Sequence, residues 1–280
     1  MSPQFKSLLT RTISGIVFVA LVVGSFFLPS YCQFLLFTVF AAIALSEYIK
    51  ITESTGVKVQ KILCAMIVVL VIEGGYLEDT TEISWLIAVF FMMLVPVVEL
   101  FKKESVMPFT NIAHTYLPIL WIAVPFALAG VCFSISSSPE LVLALFILIW
   151  ASDTFAYCAG SLFGKHKLFE RISPKKTWEG SIISAVLTCG LAVGLSFIPY
   201  FEGCFLHSDN VLVWIGFALI VVVAGTFGDL IESMFKRSYG VKDSGNIMPG
   251  HGGMLDRFDS FFLAMPFCFI YWMLLAFIVY

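Results

Sequence analysis

The sequence predicts an all-α, polytopic integral membrane protein with about nine transmembrane helices and a cytoplasmic N-terminus. Of its 280 residues 60% are hydrophobic and only 12% charged, whereas about a quarter of the residues in a soluble domain are charged. The apolar residues form continuous runs that are long enough to cross a hydrocarbon core of roughly 30 Å. Strands of a membrane barrel alternate apolar and polar residues instead, so the continuous runs favour helices.

Nine apolar runs are candidate spans. They lie near residues 12–29, 31–49, 62–77, 83–101, 111–133, 141–162, 180–199, 211–235 and 258–279. The first run follows a basic start but lacks a small-x-small cleavage site and leads directly into the second, so we expect it to be retained. We predict a single membrane domain over 1–280, with five N-terminal spans in 1–135 and four C-terminal spans in 136–280.

The positions of Lys and Arg test this count separately from hydropathy, because short cytoplasmic loops retain these residues. With nine spans, all 16 cations fall on one side. They are Lys6, Arg11, Lys50, Lys58, Lys61, Lys102, Lys103, Lys165, Lys167, Arg171, Lys175, Lys176, Lys236, Arg237, Lys242 and Arg257. The opposite loops contribute Glu78, Asp79, Glu82, Glu140, Glu202 and Asp209. This sorting predicts a cytoplasmic N-terminus and an external C-terminus.

Two predicted cytoplasmic loops, 163–180 and 236–257, are unusually polar and contain nine of the 16 cations. A role in membrane anchoring explains the cations but not the acids in and beside the loops. These acids are Asp153, Glu170, Glu179, Asp229, Glu232, Asp243, Asp256 and Asp259. Ionisable groups at the ends of membrane spans normally face a partner or a watery cavity, so their accumulation here predicts a functional site.

The residue types in these loops suit phosphate chemistry. Carboxylates bind Mg²⁺, which completes its octahedron with water and substrate phosphates, and Lys and Arg bind phosphates directly. Asp229, Glu232 and Lys236 are spaced to share one helix face. Glycines at 245, 250, 252 and 253 allow close approach of a ligand, and we expect the following helix to offer its N-terminus as a further anion site. By contrast, we interpret Glu47, Glu73 and Glu99, within the apolar runs, as structural or interfacial.

The segment SMFKRSYGVKDSGNIMPGHGGMLDRFD, residues 233–259, resembles the signature of the phosphatidate cytidylyltransferases, also called CDP-diacylglycerol synthases. Every position of that signature is satisfied. The resemblance extends to Asp153 with Ala156 and Tyr157, to SPKKTWEG at 173–180 and to GDLIES at 228–233. The first five spans resemble the family in hydropathy and number only.

The resemblance implies that CTP and phosphatidate react to CDP-diacylglycerol and pyrophosphate with a divalent metal such as Mg²⁺; a second cation is left open. It assigns the metal to Asp229, Asp256 and Asp259. It assigns catalysis to Asp229, Lys236, Lys242, Asp243, His251, Asp256, Arg257 and Asp259. It assigns substrate binding to Asp153, Ser173, Lys175, Lys176, Thr177, Lys236, Arg237, Gly252 and Gly253.

Two of these roles stay open at the level of sequence, those of His251 and Asp243. His251 can pack between glycines, bind a phosphate or transfer a proton. Asp243 can bind metal or pair with a lysine, and Trp178 is interpreted as an interface anchor rather than a base-stacking platform. The implied partners are CTP, phosphatidic acid and the lipid bilayer, with no nucleic acid and with a homodimer as a family-based expectation. The implied location is the inner membrane, with the active site on its cytoplasmic side.

Three other functions compete with this interpretation. A CTP-dependent polyprenol or other lipid kinase has a related membrane architecture but phosphorylates an alcohol. A secondary transporter also uses intramembrane acids and glycines, although its substrate site lies near the midplane between inverted repeats, and no repeat is found here. A CDP-alcohol phosphatidyltransferase is disfavoured because its DG-x-x-AR pattern is absent.

Overall fold

The computed structural model describes residues 3–103, 105–136, 139–205, 210–248, 250 and 252–279. These residues are predominantly helical. The helices are α1 (Pro3–Ser25), α2 (Ser30–Glu53), α3 (Lys61–Tyr76), α4 (Thr81–Leu100), α5 (Pro108–Pro118), α6 (Val124–Ser136), α7 (Pro139–Phe163), α8 (Trp178–Ser196), α9 (Val211–Ser238) and α10 (Leu255–Val279). A five-residue π-helical segment, Ile119–Ala123, joins α5 to α6.

Seven helices within the described ranges are long and apolar enough to cross a membrane. They are Ser30–Glu53, Thr81–Leu100, Pro108–Ser134, Pro139–Phe163, Trp178–Ser196, Val211–Ser238 and Leu255–Phe277. The apolar part of α1, Leu9–Ser25, is shorter, and α3 has only 16 residues. The predicted all-α membrane class is confirmed. Nine crossings and a cytoplasmic N-terminus remain predictions, although each predicted span overlaps a helix.

One element departs from the all-helical expectation. Within the predicted loop 163–180, strands β1 (Lys167–Phe169) and β2 (Ser173–Thr177) pair antiparallel, with Lys167 opposite Thr177. Glu179 in the first turn of α8 accepts hydrogen bonds from the backbone N–H groups of Lys165 and His166. Thr177 Oγ1 accepts the N–H of Gly180 and caps the same helix. The hairpin is therefore fastened to the start of α8.

The chain divides into two compact units. The first contains Met1–Ser134 and Lys236–Phe258, and the second contains Ile135–Phe235 and Asp259–Tyr280. The sequence-based boundary at 135/136 lies beside the division at 134/135, but residues 236–258 group with the N-terminal spans rather than with the C-terminal ones. The single membrane domain remains a prediction.

Aromatic side chains form the core of the first unit. Phe258 is fully buried, and its ring centroid lies 5.0 Å from that of Phe126, 5.5 Å from that of Phe40 and 5.6 Å from that of Phe18. Edge-on and tilted arrangements of this kind add to the energy of area burial. The first turn of α10 is thereby held against α1, α2 and α6.

Small residues bring the helices of the second unit close together. A Cβ atom at Gly180 of α8 would approach Ala156 O to 2.9 Å and Gly160 Cα to 3.1 Å, both on α7. Phe146 on α7 stacks on Phe261 of α10 with centroids 4.9 Å apart. Close packing through small residues is the usual way in which helices associate within a membrane.

Candidate functional site

Three carboxylates of the second unit form a compact cluster. One oxygen each from Asp229 and Glu232 of α9 and from Asp259 of α10 lies within 4.8 Å of the others. Asp229 and Glu232 are three residues apart and so share a helix face. Glu232 is fully buried, and the other two are partly exposed. We call Asp229, Glu232 and Asp259 the carboxylate cluster.

Glycines of α9 explain why the cluster can form. A Cβ atom at Gly228 would collide with the backbone of Asp259 and Ser260, and one at Gly225 would already contact the Ser260 side chain at 3.5 Å. The absence of side chains at these two positions lets α10 lie directly against α9. Asp259 thus reaches the acids that follow Gly228 in the GDLIES sequence.

The cluster requires positive charge. Lys176 Nζ lies 2.7 Å from Asp229 Oδ2 and also donates a hydrogen bond to Thr226 O. Carboxylates that lie so close together repel one another strongly where solvent is largely excluded, so a bound cation would stabilise the cluster. Oxygen atoms of several carboxylates are the ligands that Mg²⁺ prefers. The donor set therefore fits a divalent cation bound by Asp229, Glu232 and Asp259.

A polar cavity adjoins the cluster. Its volume is about 270 Å³, and Asp229 belongs to both its wall and the cluster. The cavity is lined by Ser152, Asp153, Ala156, Tyr157, Ser173, Lys175, Lys176, Thr177, Ser181, Thr226 and Asp229. We call it the hairpin cavity, because β2 contributes Ser173, Lys175, Lys176 and Thr177. The structure thus brings together all five of the substrate-binding residues predicted in 153–177.

In the first unit, both carboxylate oxygens of Asp256 accept hydrogen bonds from other residues. Its Oδ1 accepts a hydrogen bond from Lys236 Nζ at 2.6 Å, and both side chains are nearly buried. Its Oδ2 accepts from Ser244 N, Ser244 Oγ and Gly253 N at 2.8–3.0 Å. The family resemblance implies that Asp256 binds metal with Asp229 and Asp259, whereas the carboxylate cluster contains Glu232 as its third member. Metal binding by Asp256 remains a prediction.

The expected anion site at the start of α10 is already filled by the protein. Glu47 of α2 accepts hydrogen bonds from Met254 N at 2.9 Å and Leu255 N at 3.0 Å, while Gly253 N is bonded to Asp256. These N–H groups are the ones that a helix N-terminus offers to an anion. The expected anion site is therefore occupied by a carboxylate of the protein, Glu47.

The remaining predicted residues of 236–257 have varied surroundings. Arg237 donates to Val241 O at 3.2 Å, and Lys242 and Asp243 are exposed. Arg257 Nε is buried and has no acceptor among the described residues. Gly252 has a φ of 87°, a conformation that favours glycine. His251 lies outside the described residues, so its three roles stay open.

Comparison with known proteins assigns the family. The model of the cytidylyltransferase family matches residues 9–275. The chain belongs to this family. A relative from Staphylococcus aureus (strain COL), named phosphatidate cytidylyltransferase, is 34% identical over 265 residues, which are 92% of this chain and 95% of the relative. A Rickettsia typhi protein of the same name is 38% identical over 190 residues, 67% of this chain and 82% of its own.

Two polar residues of this cytidylyltransferase family member were not predicted for its site. The sequence places Glu232 on one helix face with Asp229, but the family resemblance does not include it among the metal ligands. The i, i+3 spacing was the signal that identifies it. Glu47 was interpreted as structural, and no local pattern connects it with residues 244–255, which lie about 200 positions later.

Proposed function

We propose that the protein is a phosphatidate cytidylyltransferase that transfers CMP from CTP to phosphatidate, forming CDP-diacylglycerol. A phosphate oxygen of the lipid attacks the α-phosphorus of CTP, and the bond from that phosphorus to the bridging oxygen breaks to release pyrophosphate. The observation that carries this proposal is that Asp229 belongs both to the hairpin cavity, which is lined by lysines, and to the carboxylate cluster. Anion-binding and cation-binding groups side by side suit a reaction between two polyanions.

The chain's own residues supply positioning and charge. Lys175 and Lys176 donate to phosphate oxygens, and the hydroxyl groups of Ser173 and Thr177 lie in the same cavity wall. A lipid phosphate is already anionic near neutral pH, so the reaction needs no general base, and catalysis rests on positioning and electrostatic stabilisation. Mg²⁺ bound by the carboxylate cluster would neutralise phosphate charge; we propose it as the cofactor.

The membrane location follows from the apolar helices, and its finer details are part of the proposal. We place the protein in the inner membrane with the site on the cytoplasmic side, because all 16 Lys and Arg residues sort to one side of the predicted spans. CTP then arrives from the cytoplasm and phosphatidate from the inner leaflet. From the family resemblance we also propose a homodimer, which the mass of the detergent-solubilised complex tests.

The function is tested with purified protein, phosphatidate, Mg²⁺ and CTP labelled at either its α- or its γ-phosphate. We expect α-label to enter the lipid and γ-label to appear in pyrophosphate. Entry of γ-label into the lipid would instead identify a kinase. Uptake of label into liposomes without chemical turnover would identify a transporter.

Lys176 provides a specific prediction for the hairpin cavity. We expect Lys176→Gln to raise KM for CTP about 10- to 100-fold, the effect of losing one charge-assisted hydrogen bond. The matched control is Lys167→Gln, which removes an exposed lysine of β1 that does not line the cavity. Steady-state kinetics at saturating phosphatidate measure both variants, and equal KM values would contradict the assignment of Lys176.

A further inference from the structure

Glu47 connects a distant helix to the segment in which the family signature lies. The signature loop is defined here as residues 239–254, between α9 and α10. Glu47 is only 5% exposed, and its carboxylate accepts hydrogen bonds from Met254 N at 2.9 Å and Leu255 N at 3.0 Å. The Ser244 hydroxyl lies 3.0 Å from Glu47 Oε2 and shares its single proton between Glu47 and Asp256. A buried carboxylate with this set of donors is tightly fixed.

Two glycines of the signature loop pack directly against the Glu47 side chain. A Cβ atom at either Gly245 or Gly253 would collide with the Glu47 side chain. Neither glycine has the positive φ that favours glycine. Glycine is needed at both positions because a side chain would not fit beside Glu47. Two glycines of the signature are therefore explained by a residue outside the signature.

Glu47 is linked through Ser244 to the ion pair of Asp256 and Lys236. The Ser244 hydroxyl lies 3.0 Å from Glu47 Oε2 and 2.9 Å from Asp256 Oδ2. Asp256 in turn accepts from Lys236 Nζ. A displacement of Glu47 is thus transmitted to both charged residues, which are predicted to take part in catalysis.

Tyr48, the next residue of α2, is connected through His114 to Tyr239 at the start of the signature loop. Tyr48 OH lies 2.7 Å from His114 Nδ1, and His114 Nε2 lies 3.3 Å from Tyr239 OH. Consecutive residues of α2 therefore hold the first and the last residues of the signature loop. A free-standing loop rich in glycine would be mobile without such ties.

We infer that Glu47 is a positioning residue for CMP transfer: it caps α10 and holds the signature loop in its active conformation. The inference rests on the proposed function. It changes the interpretation of Glu47 from a structural residue of a span to one that acts through Ser244, Asp256 and Lys236. A shift of about 1 Å in such groups costs about 100-fold in rate, because their contacts must be accurate in the transition state.

The test compares Glu47→Gln with Glu99→Gln. Glu99 is a matched control because it is also buried in the first unit and accepts hydrogen bonds from Gln60, Lys102, Ser105 and Asn111, none of which belongs to the signature loop. In Glu47→Gln we expect kcat per folded molecule to fall about 10- to 100-fold with little change in KM for CTP. In Glu99→Gln we expect kcat to remain near the wild-type value.

Ser244→Ala provides a second variant that introduces no buried donor. It removes the hydroxyl between Glu47 and Asp256, so kcat should fall in the same direction. Hydrogen exchange supplies a readout besides activity, and the amides of Met254 and Leu255 should exchange faster in Glu47→Gln but not in Glu99→Gln. Glu47→Asp, which retains the charge, should recover part of kcat.

The outcomes separate this inference from the function on which it rests. Wild-type protein that transfers no CMP would reject the proposed function itself. With an active wild type, equal losses of kcat in Glu47→Gln and Glu99→Gln, or no loss in Glu47→Gln and Ser244→Ala, would overturn the role of Glu47.

Discussion

Replacement of Asp259 by Asn is expected to lower CMP transfer about 100- to 1,000-fold, comparable to the loss of one electrostatic stabiliser in an active site. The substitution removes a negative charge with almost no change in volume. Asp259 lies with Asp229 and Glu232 in one cluster, so the cluster loses one strong oxygen ligand for a cation. We expect the residual activity to require more Mg²⁺ for half-maximal rate.

The measurement is the rate of lipid-linked cytidine formation over a titration of Mg²⁺. Excess chelator should abolish the wild-type rate. Asp79→Asn is the control, since it makes the same substitution at an exposed position. Glu232→Gln should resemble Asp259→Asn in both rate and Mg²⁺ requirement. A variant of Asp259 with a normal rate and normal Mg²⁺ dependence, or a wild type active in chelator, would refute the metal site.

The fold could largely be predicted from hydropathy, because a membrane restricts the backbone structures that can cross it. An apolar run long enough to cross the bilayer must satisfy its own backbone hydrogen bonds, and a helix does so. All nine runs overlap helices, including α3. The β-hairpin at 167–177 was not predicted because its strands are only three and five residues long and lack the apolar–polar alternation that indicates a strand.

The candidate site could be predicted from the sequence only where its residues are close together along the chain. Lys175, Lys176 and Thr177 are neighbours in β2, and the spacing of Asp229 and Glu232 follows from one helix. Contacts between distant segments were not predictable in this way. The partners of Glu47 lie in the signature loop, and a sequence pattern holds no information on which of several buried acids will cap α10.

Asp256→Asn is the second substitution with a large expected effect, and its reason differs from that of Asp259→Asn. Both Asp256 oxygens accept hydrogen bonds: Oδ1 from Lys236, and Oδ2 from Ser244 and Gly253. In either orientation, the amide NH₂ of Asn would face a donor. Lys236 would also lose the negative charge of Asp256, and breaking a buried ion pair typically costs about 3–5 kcal/mol. We expect a large fall in kcat together with lower thermal stability.

The Mg²⁺ titration distinguishes the two aspartates. If Asp256 acts by holding Lys236 and the signature loop, the Mg²⁺ concentration for half-maximal rate in Asp256→Asn should equal that of the wild type. An increase as large as in Asp259→Asn would place Asp256 among the metal ligands, as the sequence signature suggested. The matched comparison is informative because both variants exchange one carboxylate oxygen for NH₂ in the first two turns of α10, so a difference in metal dependence reports the partners of each side chain.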